Sequence, residues 1–235
     1  MKKTYLFLLV VFTVLFLAFM SGCGEDNKTS GPSGPTSTPT ELPGNFIVDD
    51  FEDGNKYNEF NKLWAAAGDS ADGGNSTIDS FDIINGGAAG TNFCAGVTAT
   101  VHADISSCSS PYCTAVAFCK GYFTLESEIN SGGADLTSST NLVFNKTATG
   151  TTQMYYRVFI YGADGKYCYD SFNAGSSWTS YTADLTTSFD VGGAYTVNDV
   201  ISQAAKIVFL ARYSYDLGAS QQTYLGIDQV RFDAD

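Results

Sequence analysis

Two groups of residues have types and spacings that could do chemistry. The first is acidic. Residues 46–55 read FIVDDFEDGN, so three apolar residues run into Asp49, Asp50, Glu52 and Asp53. The last apolar stretch, Leu225 to Phe232, also contains an acid, Asp228. Strands seldom bury carboxylates without a partner. The stretch is not an EF-hand loop: with Asp49 at position 1, position 3 is Phe51 and position 12 is Phe60. Calcium takes about six to eight oxygens from carboxylates and backbone. If the first and last strands are neighbours, Asp50, Glu52 and Asp228 converge, and the expectation is a structural Ca2+ there.

The second group is aromatic. Tyr155, Tyr156, Tyr161, Tyr167, Tyr169 and Tyr181 lie close in sequence, with Phe159, Phe172 and Trp178 among them. Within Tyr155 to Tyr161, alternation places Tyr156, Val158 and Ile160 on one face, which reads as core. Tyr155, Arg157, Phe159 and Tyr161 share the other face. Flat rings beside a fork of donors suit sugars, which present apolar C–H patches and hydroxyls.

Other chemistries find little support. Gly68-Asp69-Ser70 suggests a serine esterase only weakly, because His102 is the sole histidine and no Asp-x-x-His accompanies it. Zinc is disfavoured by the absence of a C-x-x-C pair. Paired carboxylates for glycoside hydrolysis need a set separation across a cleft, and solvated turn acids explain this many carboxylates more simply. The expectation is a non-enzyme.

These groups must be positioned by a domain, and the chain divides plainly. Lys2 and Lys3 precede an apolar run from Tyr5 to Met20, short for a spanning helix, which needs about 20 residues. It ends in Met20-Ser21-Gly22-Cys23, similar to a bacterial lipobox. Residues 1–22 are therefore expected to be a signal peptide and Cys23 the lipidation site. Residues 23–45, rich in Ser, Thr, Pro and Gly, read as a linker. This predicts a cell-envelope location, with the membrane reached only through the lipid.

Residues 46–235 form one domain carrying nine Lys/Arg against 22 Asp/Glu. That balance repels nucleic acid. Period-2 runs, such as those from Val97 to Ile105 and from Lys206 to Tyr213, are separated by turns such as Asn85-Gly86-Gly87. They predict an all-β, antiparallel β-sandwich or jelly roll. Only 59–67 and 198–205 suit short helices. Five cysteines follow Cys23. Cys108 and Cys113 flank Ser-Ser-Pro-Tyr and are predicted to pair across a hairpin. A second bridge would come from two of Cys94, Cys119 and Cys168.

The body resembles the galactose-binding-like jelly rolls, especially family-11 carbohydrate-binding modules and the complex-I intermediate-associated domain. The resemblance rests on Ile47 to Gly54, on Asn61-Lys62-Leu63-Trp64 followed by Gly73-Gly74-Asn75-Ser76-Thr77, and on Ala134 to Phe144. Ser177 to Tyr181 and Gly226 to Phe232 complete it. It implies a calcium joining Glu52 and Asp228, with Asp50 nearby. It also implies a concave sheet binding ligand through Tyr155, Arg157 and Tyr169, with Asp170 beside them and Trp64 either at the rim of the cleft or buried. Asn145 after Phe144, and Gln229 in the final motif, depart from the pattern. The expected function is non-catalytic binding of a polysaccharide or glycan. The alternative is a structural lipoprotein of the envelope that holds a protein partner.

Overall fold

Alternation along the strands dictates the layers. A computed structural model of the chain describes residues 40–41, 44–102, 121–150, 154–213 and 220–234. The strands are β1 (Thr40–Glu41), β2 (Phe46–Asp49), β3 (Trp64–Gly68), β4 (Thr77–Asn85), β5 (Phe93–Val101), β6 (Tyr122–Glu128) and β7 (Ala134–Asp135). They continue as β8 (Asn141–Thr149), β9 (Met154–Gly162), β10 (Tyr167–Phe172), β11 (Thr179–Asp184), β12 (Asp190–Val191), β13 (Ala204–Tyr213) and β14 (Gln221–Asp233). A short α-helix, α1 (Val197–Ile201), precedes β13.

The strands form two sheets. The larger runs β3-β6-β13-β9-β10-β12, with β7 at the start of β13 and β1 beside β7. The smaller runs β11-β8-β14-β5-β4, with β2 on the end of β14. Strands β2 and β14 are thus neighbours: Asp49 opposes Val230 and Ile47 opposes Arg231.

The core lies between the sheets. Tyr156, Val158 and Ile160 of β9 and Ile207 and Phe209 of β13 face Phe144 of β8 and Leu225 and Ile227 of β14. Phe209 meets Phe144 edge-on at 4.9 Å, joining the two layers. Such a pair adds about 1 kcal/mol beyond its burial. Helix α1 is short but well started. Thr196 accepts from Asp199 N, and the Asp199 carboxylate returns to Thr196 N, forming a capping box.

Three expectations need revision. The stretch 59–67 is not helical: it turns at Glu59–Asn61 and extends into β3, where the Trp64 side chain is drawn into the core. The sandwich also begins before residue 46, because Thr40–Glu41 pairs in parallel with Ala134–Asp135. Finally, Cys94 and Cys168 are free thiols, so neither joins a second bridge. Both are buried, which pushes their thiols up to about 11 and about 12. Cys23, Cys108 and Cys113 lie outside the described residues.

Candidate functional site

The outer face of the larger sheet carries the aromatic group. Strand registers arrange it as a lattice. Across β6, β13, β9 and β10, one row reads Glu128, Lys206, Tyr161, Tyr167. The next reads Glu126, Val208, Phe159, Tyr169, ending at Asp190 of β12. The third reads Thr124, Leu210, Arg157, Ser171, and the last Tyr122, Arg212, Tyr155. Three inter-strand steps make this face roughly 14 Å wide from β6 to β10.

Phe159 sits at its centre, fully buried although it points away from the core. Tyr161, Tyr167 and Tyr169 cover it, with ring centroids 6.1, 5.9 and 5.5 Å from its own. The three tyrosines remain partly exposed, and Tyr155 is 48% exposed. They therefore form a continuous floor of rings.

Cations stand over that floor. The Arg157 guanidinium lies 4.6 Å from the Tyr169 ring centre, Lys206 Nζ 5.1 Å from Tyr161, and Arg212 5.7 Å from Tyr155. Arg157 Nε donates to Ser171 Oγ at 3.3 Å. Its Nη1 is buried and finds no acceptor. Lys206 pairs with Glu126 at 3.2 Å, beside a cavity of about 360 Å³ that Leu63, Ala65 and Glu128 help to line. Burial, and then the nearby Arg157 charge, lower the pKa of Arg212.

Tyr155, Arg157 and Tyr169 are thus brought together as expected. Trp64 and Asp170 are not. Trp64 is 1% exposed and packs between Phe51 and Phe209, while its Nε1 donates to Asp49 Oδ2 at 2.7 Å. It is a core residue, because β3 turns that side chain inward. Asp49 also accepts from Phe51 N, yet burial raises its pKa to about 7 against the pull of both donors. Asp170 opposes Val158, whose side chain is core, and its Oδ2 accepts from the Tyr181 hydroxyl at 2.6 Å. It faces the other side of β10 and cannot reach a ligand on the tyrosine floor. Lys206 and Arg212 complete the face but were not expected in it. The alternation of KIVFLARY carried their signal, since it sets Lys206, Val208, Leu210 and Arg212 on one side.

The acids meet elsewhere, at the loop of residues 86–92. Asp228 Oδ2 accepts from Ala88 N at 2.8 Å and Thr91 Oγ1 at 2.6 Å. Glu52 accepts from Asn92 N at 2.7 Å and Phe93 N at 3.1 Å, which lowers its pKa. Burial raises that of Asp228, and the Glu52 charge adds to the effect. Asp228 Oδ1 is buried without a partner. Asp50 caps its own turn, accepting from Glu52 N at 3.1 Å. Among the described residues no three His, Cys, Asp or Glu side chains cluster as a metal site. A cation here would have to draw on backbone oxygens as well as Asp228 Oδ1.

No protein-family model matches the sequence, and no curated protein matches it. Among solved structures the chain is similar to the family 11 carbohydrate-binding module of a cellulosomal cellulase of Clostridium thermocellum. That match has 14% identity and a TM-score of 0.54, and it covers 83% of this chain and 96% of the module. A family 11 module of the same organism, in complex with a β-1,3-1,4-mixed-linked tetrasaccharide, matches at 15% identity and a TM-score of 0.53, over 82% and 97% of the two chains. The structural neighbours are thus carbohydrate-binding modules, and the likeness establishes that this chain has their all-β jelly-roll sandwich fold.

Proposed function

We propose that the chain captures a glycan on the outer face of its larger sheet, without altering it chemically. One observation carries the reading: Tyr161, Tyr167 and Tyr169 form a floor of partly exposed rings, and Arg157 stands at its edge. Sugar C–H faces stack on such rings, and the guanidinium supplies directed donors to the hydroxyls. The non-catalytic reading draws support from the acids on this face. Glu126 is paired with Lys206, and Glu128 lies 3.7 Å from Lys62. The similarity in fold to modules that bind oligosaccharides agrees with it.

The proposal includes three further parts. A structural calcium would sit at Asp228 Oδ1 and Glu52, close to Asp50. Cys23 would carry lipid, after removal of residues 1–22. The domain would then work at the bacterial cell envelope, held to the membrane by that lipid alone.

The test is binding of the full chain to a panel of polysaccharides by affinity electrophoresis, with Tyr169→Ala as the matched variant. Losing one ring–sugar contact is expected to weaken binding about tenfold. Equal retardation of both proteins by every glycan, or none of either, overturns the reading. Capture of an envelope protein that depends on Tyr169 would move the site's role to protein recognition.

A further inference from the structure

The binding face is electrically lopsided, and this bears on which glycan it takes. The two rows nearest α1 hold its acids: Glu128, Glu126 and Asp190. The two rows beyond them hold Arg157 and Arg212 and, among the described residues, no acid of the sheet. Two neighbouring carboxylates are already engaged: Asp72 accepts from the Tyr122 hydroxyl, and Asp170 accepts from the Tyr181 hydroxyl on the other side of β10.

Arg157 is the telling residue. Among the described residues it forms no ion pair. Its Nε donates to the Ser171 hydroxyl, and its Nη1 is buried with no acceptor among the described residues. The side chain as a whole stays partly exposed. The guanidinium lies over the Tyr169 ring, 4.6 Å from its centre. A guanidinium nitrogen buried without an acceptor, beside a second guanidinium, is a costly arrangement. A planar carboxylate or a sulfate offers the paired acceptors that a guanidinium fork fits best. A sugar hydroxyl offers weaker ones.

Resting on the glycan-binding reading, we infer that the ligand is an anionic polysaccharide, whose carboxylate or sulfate group seats against Arg157 while its rings pack along the tyrosine floor beside it. The chain's net charge of −13 gives no general attraction for such a polymer. Selection must therefore come from this local contact. At physiological salt, charges more than about 8 Å away are screened, so the local contact decides.

The experiment pairs each polymer with its neutralised form on the same backbone. Full-chain protein is titrated with polygalacturonate and its methyl ester, and with a sulfated galactan and its desulfated form. Mixed-linkage β-glucan serves as a neutral reference. The expected result is at least about tenfold tighter binding of one anionic polymer than of its neutral partner, as a charge-assisted contact should give. Whichever pair shows the preference identifies carboxylate or sulfate. Arg157→Gln should abolish the preference, while Arg157→Lys should keep part of it. A melting curve checks that both variants fold. Equal binding of charged and neutral forms overturns the inference, as does a preference that survives Arg157→Gln. Binding of neutral glycans alone overturns it too, yet leaves the glycan reading standing. No binding to any polymer overturns both.

Discussion

Replacing Trp64 with Phe separates a core role from a ligand-binding one. The indole is 1% exposed, its Nε1–Asp49 bond is 2.7 Å long, and its ring sits 5.5 Å from Phe51 and 6.2 Å from Phe209. Phe keeps most ring contacts but removes the donor. Asp49 is then left buried with Phe51 N as its remaining donor. Losing a hydrogen bond to a buried charged group costs about 1.5–3 kcal/mol, and the lost ring volume adds about 1 kcal/mol. With a urea slope of about 2 kcal/mol/M, the midpoint should fall by roughly 1–2 M. The donor stabilises the carboxylate form of Asp49, whose pKa is about 7. The penalty should therefore be largest above pH 7 and shrink as the carboxyl protonates below it. Urea melts of wild type, Trp64→Phe, Asp49→Asn and the double variant measure this directly. The two single effects should be strongly non-additive. A stable Trp64→Phe protein that has lost glycan binding would refute the placement of Trp64 in the core.

Other perturbations follow from the same contacts. Lys146 lies in the core-facing row between Phe144 and Ala148, with one hydrogen bond from Nζ to Thr179 Oγ1, and burial lowers its pKa. Lys146→Met should stabilise the fold by about 1 kcal/mol in urea melts, and a loss of that size would contradict the account. Hydrogen bonds hold Asp184 and Asp199 below their ordinary value of 3.8. Their contribution is fully present above that value and is lost as pH falls through the lower folded values. The melting temperature should drop between pH 4 and pH 2, and less steeply in Asp199→Ala; parallel acid limbs would sink this attribution. For the proposed calcium, EDTA should lower the melting temperature of wild type and leave Glu52→Ala unchanged, while a wild-type curve indifferent to EDTA removes the ion.

Alternation made the two faces of β9 legible: Tyr156, Val158 and Ile160 are core, and Tyr155, Arg157, Phe159 and Tyr161 are not. The full burial of Phe159 was not legible, because the tyrosines covering it come partly from β10, through a register set by the turn at Ala163–Gly165. The pairing of β2 with β14 could be anticipated from acids at both chain ends. What those acids bind could not, since Glu52 and one oxygen of Asp228 bond the loop after β4, while Asp228 Oδ1 is left buried without a partner. Trp64 could be read either way, because a tryptophan in a polar, turn-rich stretch suits a rim as well as a core. Its direction depends on β3 pairing with β6, a contact some sixty residues distant in the chain. Lys146 breaks the pattern outright, since its position reads as an outward one by residue type alone.

The outer face of the larger sheet is the proposed binding surface. Amide chemical-shift mapping of the full chain during titration with the tightest-binding polysaccharide's oligomer tests it most directly. Shifts concentrated at β9, β10 and β13, around Arg157, Tyr169 and Lys206, are the predicted result. Shifts confined to the outer face of the smaller sheet, around Tyr224 and Trp178, would contradict it.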